Sequence, residues 1–382
     1  MAPATKPRGR ATSHRACLPM DAWPASDCNA WERAIQSGDI LDADGAAAHW
    51  APTTQGNAWR AYGRWLAFLG ERNGLIAEDV DPATRADRAA IKAYAMDLRQ
   101  RHASGTAWSY MAFLAMALRA MAPKADWDWL RPVVARLQRR IAPARDKRAR
   151  MVPIRDLLHL GNRLMVEAET GGDPLSPKTA RQFRDGLMIA LLAARPFRRA
   201  NFCSIEIDRH LIRTGDGYVI IIPARENKSR RPIEQHVPQS LVPALERYLT
   251  IWRPALMSMS GPWNPDYEPV LPGQRLWVSH CGTALGVSGL YKLLLTRTQS
   301  EFGHKVNPHL FRDCAVTSLA EEDPANVLIA TSLLGHSTLR TAERHYIRAR
   351  GIEASRLHQR RIQALRIGSG DRGERDSDGT ED

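Results

Sequence analysis

From Thr53 onward, apolar residues recur at helical spacing. Thr54 reads as an N-cap, and Trp59, Tyr62, Leu66 and Leu69 follow at steps of three, four and three, the stripe of an amphipathic helix. Residues 87–98 and 106–121 read as two further helices. The second carries Trp108, Met111, Leu114 and Leu118 on one side, and Pro123 lies beyond its end. A fourth helix is predicted over 130–141, where Pro132 is tolerated because it falls in the first turn. The aromatic residues of these stripes are expected to form a core rather than platforms on which bases stack.

The pattern changes after residue 150. Residues 156–169 and 178–194 read as helices, and 187–194 is apolar all round, which predicts a buried central segment. Residues 218–222 are β-branched and end at Pro223. After a polar turn, 233–237 ends at Pro238, and the two runs predict a hairpin. Residues 241–252 are predicted helical and 276–279 a short strand. From Ser288 the spacing returns to helices, one opening at Asn307-Pro308 and another at Asp323-Pro324. The fold class is therefore mainly α with a small antiparallel β-sheet.

These elements suggest an organisation. Residues 1–46 form an N-terminal arm, read as disordered, with four Lys or Arg and no acid in its first sixteen residues. Residues 47–145 form a helical domain, 146–150 a basic linker and 151–352 a second domain. Residues 353–382 form a tail whose end, 368–382, holds six acids and two arginines and reads as disordered.

Composition narrows the function. The chain has 382 residues, 44% of them hydrophobic, and its 54 Lys and Arg exceed 41 Asp and Glu by 13. That excess favours a polyanionic partner, nucleic acid first. No apolar stretch approaches the roughly 20 residues of a membrane span, so no membrane is expected, and the N-terminus lacks the apolar core of a secretory signal. Five cysteines without a Cys-x-x-Cys pair indicate neither a zinc knuckle nor a disulfide framework. A cytoplasmic location follows.

Three groups of residues carry candidate chemistry. Between Arg136 and Arg150 seven positive charges face one negative, and Arg145, Lys147, Arg148 and Arg150 are the candidate DNA-binding residues. Such a strap can lie along a phosphate backbone and release counterions, or it can be a solvated linker. In Asn307-Pro308-His309-Leu310-Phe311-Arg312, His309 lies in the first turn of a helix and Arg312 is three residues on. Free N–H groups and the helix dipole there favour an anion. At Leu333-Leu334-Gly335-His336, Gly335 suits a left-handed C-terminal cap, so His336 projects from the helix end, and Tyr346 follows ten residues later.

The order of these elements resembles the tyrosine recombinase (phage integrase) family. An arginine follows a buried helix, a lysine sits in a hairpin, and His-x-x-Arg, Leu-Gly-His and a tyrosine follow. The resemblance covers most of 47–350, with the first helical domain similar to the family's core-binding domain. It implies that Arg198, Lys228, His309, Arg312, His336 and the nucleophile Tyr346 are the catalytic residues. Asn201 replaces the family's usual acid, and Arg195-Pro196-Phe197 stands where a Thr-Gly-Leu-like turn is common. Arg195 and Arg199 therefore remain rivals of Arg198, and Arg225 is a rival of Lys228. The interval from His336 to Tyr346 is one residue longer than in many members.

The family chemistry implied is DNA strand cutting and rejoining through a 3′-phosphotyrosine, with no metal, cofactor or ATP. The partners implied are double-stranded DNA and further copies of the chain, four protomers on paired sites. Two other readings share the DNA: a type IB topoisomerase-like relaxase and a sequence-specific DNA-binding protein that has lost catalysis. A metal hydrolase built on His304, His309, His336 and His345 lacks the carboxylates and helical histidine spacing that a metal site needs.

Overall fold

The computed structural model describes residues 17–73, 80–142, 148–171, 173, 176–215, 217–259 and 271–322. The chain divides into two units, Met1–Asp146 and Lys147–Asp382. The helix expected from Asp323 and the tail lie outside the described residues. Among the described residues no helix is long and apolar enough to cross a membrane.

The first unit is helical: α1 (Ala25–Ile35), α2 (Pro52–Asn73), α3 (Arg88–Arg101), α4 (Ser104–Met121) and α5 (Leu130–Arg139). The predicted stripes face one core except at Trp108, which is only half-buried; Met111, Leu114 and Leu118 of α4 are buried with Tyr62, Trp65 and Leu66 of α2. Asp87 caps α3, its carboxylate accepting from the Ala90 amide at 2.7 Å. Thr54 does not cap α2. The helix starts at Pro52, and the Ala51 carbonyl accepts from the amides of Thr54 and Gln55, so Thr54 lies inside the first turn.

The reading of 1–46 as disordered is corrected from Cys17 onward. Trp23 and Trp31 are buried in the first core, and α1 is part of it. The fully buried Asp27 accepts from the Tyr62 hydroxyl and pairs with Arg85 at 2.9 Å. The partners that order this segment lie 35 or more residues downstream, and a Pro/Ala/Asp-rich composition does not reveal them.

The second unit opens with α6 (Ile154–Thr170) and α7 (Pro177–Ala194), which pack along each other. They approach closely because two glycines meet. A Cβ on Gly186 would lie 2.6 Å from the Gly161 carbonyl oxygen, and one on Gly161 would lie 2.7 Å from that of Gly186. Residues 187–193 are buried on every side, as their apolar run predicts. The short α8 (Arg199–Cys203) follows, then a three-stranded antiparallel sheet in the order β1 (Leu211–Thr214), β2 (Gly217–Ile222), β3 (Ile233–His236). Leu211 pairs with Ile220 across β1 and β2, and Ile222 with Ile233 across β2 and β3.

The hairpin matches the predicted β-branched runs. Strand β1 has no such signal, being four residues long with only two apolar positions. The predicted helix over 241–252 is α9 (Val242–Arg247), a π turn at Tyr248–Trp252 and α10 (Arg253–Met257). The strand predicted over 276–279 is reduced to single bridges, Glu206 with Arg275 and Val278 with Ala284. Its apolar residues are instead core, with Leu276, Trp277 and Val278 fully buried.

Two helices close the described part, α11 (Val287–Phe302) and α12 (Pro308–Glu322). The buried Asp185 of α7 accepts from Arg184 at 2.6 Å and from Arg297 of α11 at 2.9 Å, which ties these helices together. Leu310, Phe311 and Cys314 set α12 into the core, and the amide of Ile154 donates to Ser318 at 3.0 Å. The start of α6 and the middle of α12 are thereby joined.

Candidate active site

The chain leaves α7 in a tight turn. Phe197 N donates to the Arg195 carbonyl at 2.8 Å, and Phe202 N donates to that of Arg198 at 2.9 Å, which makes Arg198 the N-cap residue of α8. Phe197 and Phe202 are both buried, so this turn is held by its apolar residues and its arginines point elsewhere. The three arginines separate sharply. Arg195 donates to the His236 carbonyl at the end of β3 at 2.9 Å and to its neighbour Ala194. Arg199 is exposed, over the Tyr291 ring. Arg198 is half-buried and donates through Nη1 to Asn227 Oδ1 at 2.9 Å and to Ser229 Oγ at 3.4 Å.

Those acceptors belong to the turn between β2 and β3 that carries Lys228. Lys228 is exposed, whereas Asn227 beside it is buried. Arg225 is exposed and pairs with Glu226 at 3.6 Å. The turn is anchored on its other side by Glu226, which accepts from Arg209 and faces His210 Nε2 at 2.9 Å. His210 Nδ1 accepts from the Glu206 amide at 3.1 Å, so Nε2 carries the proton and donates to Glu226. Bonds to Arg209 hold the Glu206 carboxyl below its ordinary range. Burial would raise that of Glu226, but His210 and Arg209 outweigh it, and the net shift is downward.

Asn307 caps α12 as expected, its Oδ1 accepting from the amides of His309 and Leu310, both at 3.0 Å. The cap therefore occupies two first-turn N–H groups that would otherwise be open to an anion, and the helix dipole remains. His309 is exposed at this end. Arg312, one turn on, is buried at 9% exposure and donates through Nη1 to the Pro196 carbonyl. Burial, and then the neighbouring charge of Arg198, lowers its pKa to about 10. An anion entering beside the two guanidiniums would relieve their repulsion.

Of the predicted residues, the structure brings together Arg198, Arg312 and the turn of Lys228, with His309 on the same helix end as Arg312. His336 and Tyr346 lie outside the described residues, as do Arg145, Lys147 and the side chain of Arg148. Arg150 is half-buried, and its Nε has no hydrogen-bond partner among the described residues. Asn227 is a site residue that sequence reasoning misses. Its only signal there is its place before Lys228. Among the described residues no group of three or more His, Cys, Asp or Glu is placed to hold a metal ion.

Residues 162–351 match the model of the phage integrase family, a span that includes Arg198, Lys228, His309, Arg312, His336 and Tyr346. No curated protein matches the chain in sequence. Among solved structures, the crystal structure of XerH site-specific recombinase bound to palindromic difH substrate, a post-cleavage complex, is similar over 90% of this chain and 99% of that one. Its TM-score is 0.52 at 13% identity, a likeness of fold. The crystal structure of XerA recombinase aligns over 79% of this chain and 89% of that one, at 15% identity and a TM-score of 0.36.

Proposed function

The chain belongs, through residues 162–351, to the phage integrase family of tyrosine recombinases, and we propose that it is a site-specific DNA recombinase acting through a 3′-phosphotyrosine intermediate. The observation that carries the reading is the juxtaposition of Arg198 and Arg312: the Arg312 guanidinium donates to the carbonyl of Pro196, two residues before Arg198, and the charge of Arg198 helps to lower the Arg312 pKa. Attack on a phosphodiester builds negative charge on the non-bridging oxygens, and planar guanidinium forks hold such oxygens well. Preorganised donors of this kind contribute roughly 3–4 kcal/mol each.

In this scheme the Tyr346 oxygen attacks phosphorus and the bond to the 5′-oxygen breaks. The phenol, with a solution pKa near 10, loses its proton to His309. Lys228 protonates the departing 5′-oxygen, and His336 donates a hydrogen bond to the phosphate. The new phosphotyrosine ester keeps the energy of the old one, so a 5′-hydroxyl from a second duplex reverses the attack without ATP. Exchange needs two cut duplexes, hence four protomers on paired sites. The helical unit ending at Asp146 takes the core-binding role, and Arg145, Lys147, Arg148 and Arg150 contact phosphates. The compartment is the DNA-containing cytoplasm.

A nicked suicide duplex carrying the cognate site, found in the DNA that flanks the gene, tests the reading. Wild-type protein is expected to form a denaturation-resistant adduct at the 3′ end, and Tyr346→Phe to abolish it while binding the duplex normally. An adduct that persists in Tyr346→Phe overturns the assignment.

A further inference from the structure

Arg198 and Lys228 have separate tasks in a recombinase, and one buried side chain joins them. Asn227 is 3% exposed and its side chain makes three hydrogen bonds. Its Oδ1 accepts from Arg198 Nη1 at 2.9 Å and from Asn201 Nδ2 at 3.3 Å, and its Nδ2 donates to the Arg231 carbonyl at 2.7 Å. Only one orientation of the amide satisfies this set. Turned over, the NH₂ would face a guanidinium and another NH₂, and the oxygen would face a carbonyl.

The backbone around it is equally constrained. Asn227 N donates to the Ala224 carbonyl at 3.2 Å, and Arg230 N donates to the Asn227 carbonyl at 2.8 Å. Arg230 adopts φ +51°, an uncommon conformation for a residue with a side chain, which closes the turn. Upstream, Glu226 is held by His210 and Arg209. The exposed Lys228 thus projects from a turn pinned on both sides.

We propose that Asn227 is a positioning residue that sets Arg198 and Lys228 in register for the same phosphate. This inference rests on the recombinase reading and goes beyond it by naming the group that couples the two. The carboxamide suits the task because its oxygen holds the guanidinium while its NH₂ holds the loop. Asn201, standing where the family's acid is usual, supports the same oxygen with a second donor. An aspartate at 227 would keep the bond from Arg198 but could not donate to the Arg231 carbonyl. A leucine of similar volume would lose both.

The test separates the two effects chemically. A thiolate leaves without protonation, so a suicide duplex with sulfur in place of the bridging 5′-oxygen does not need Lys228. Adduct formation by full-length protein is timed on the oxygen duplex and on this 5′-thio duplex, with binding and melting temperature measured alongside. Asn227→Asp is expected to slow cleavage of the oxygen duplex by about 10²-fold, the scale of lost general-acid catalysis. On the 5′-thio duplex it should stay within about threefold of wild type. Asn227→Leu should be slow on both, because a displaced guanidinium also costs about 10²-fold. If Leu at 227 prevents folding, Asn227→Asp still decides the matter.

Equal slowing of Asn227→Asp on both duplexes, or wild-type rates on both, overturns the inference alone. Wild-type protein that forms no adduct with either duplex overturns the recombinase reading and this inference with it.

Discussion

The Arg312 side chain donates to the main-chain carbonyl of Pro196, two residues before Arg198. One guanidinium nitrogen is thereby committed to the turn that presents the other arginine. The bond also fixes α12 against the end of α7, so the two cations are placed by the same interaction.

Arg312→Lys tests this double use. An ammonium cannot both reach the Pro196 carbonyl and present a planar fork to a phosphate. Adduct formation in single turnover should slow by about 10²–10³-fold, with duplex affinity changed far less. A rate within threefold of wild type would show that the fork is not needed.

The basic hinge is tested through salt. Neutralising Arg145, Lys147 and Arg148 together should flatten the slope of log affinity against log salt by roughly 0.9 for each phosphate no longer neutralised. Preference for the cognate site should survive, since bonds to phosphate position the protein rather than specify the sequence. An unchanged slope would make this segment a solvated linker.

The anchor of the lysine turn should respond to acid. Glu226 and Glu206 both have lowered carboxyl pKa values in the folded chain, against an ordinary 4.5. Their ionised forms therefore stabilise the fold above that value, and the contribution is lost as pH falls through the lower folded values. Glu226→Gln keeps the acceptor for His210 but removes the charge. Its melting temperature should lie below wild type at pH 7, and the gap should close below about pH 4. A gap that is constant from pH 7 to 3 would exclude a charge contribution.

Asp27 provides the test of the corrected N-terminal region. Asp27→Ala would leave the 5% exposed side chain of Arg85 and the buried Tyr62 hydroxyl without this acceptor. Denaturant titration should show the first unit destabilised by about 3–5 kcal/mol. Loss of under 1 kcal/mol would mean that residues 17–46 contribute little to the core.

Much of the fold was legible because helices announce themselves within a few residues. The stripe from Trp59 to Leu69, the all-apolar run of 187–194 and the Asn307-Pro308 start each depend on neighbours one or two turns away, and each is seen in the structure. Segments without such local signals have distant partners. Helix α1 is secured by Tyr62 and Arg85, and β1 gains its register only from β2. The apolar run at 276–279 looked like a strand because burial and strand pairing leave the same short pattern.

The candidate site divides along the same line. The place of His309 and Arg312 in the first turns of α12 follows from the local Asn307-Pro308 start, but that rule does not tell that the first is exposed and the second buried. The apolar spacing to Phe202 and Ile205 favours Arg198 over Arg195 and Arg199, but it does not show where any of the three side chains points. The difference is made by Asn227, 29 residues from Arg198, and by the strand end at His236, 41 residues from Arg195. Pro196, which receives Arg312, is 116 residues from it. Periodicity and capping are written in bonds that close within a turn of the chain, so they can be read residue by residue before the chain folds. A side chain's direction is set by whichever distant carbonyl or amide the packed core brings within about 3 Å of it, and no neighbour in the sequence carries that information.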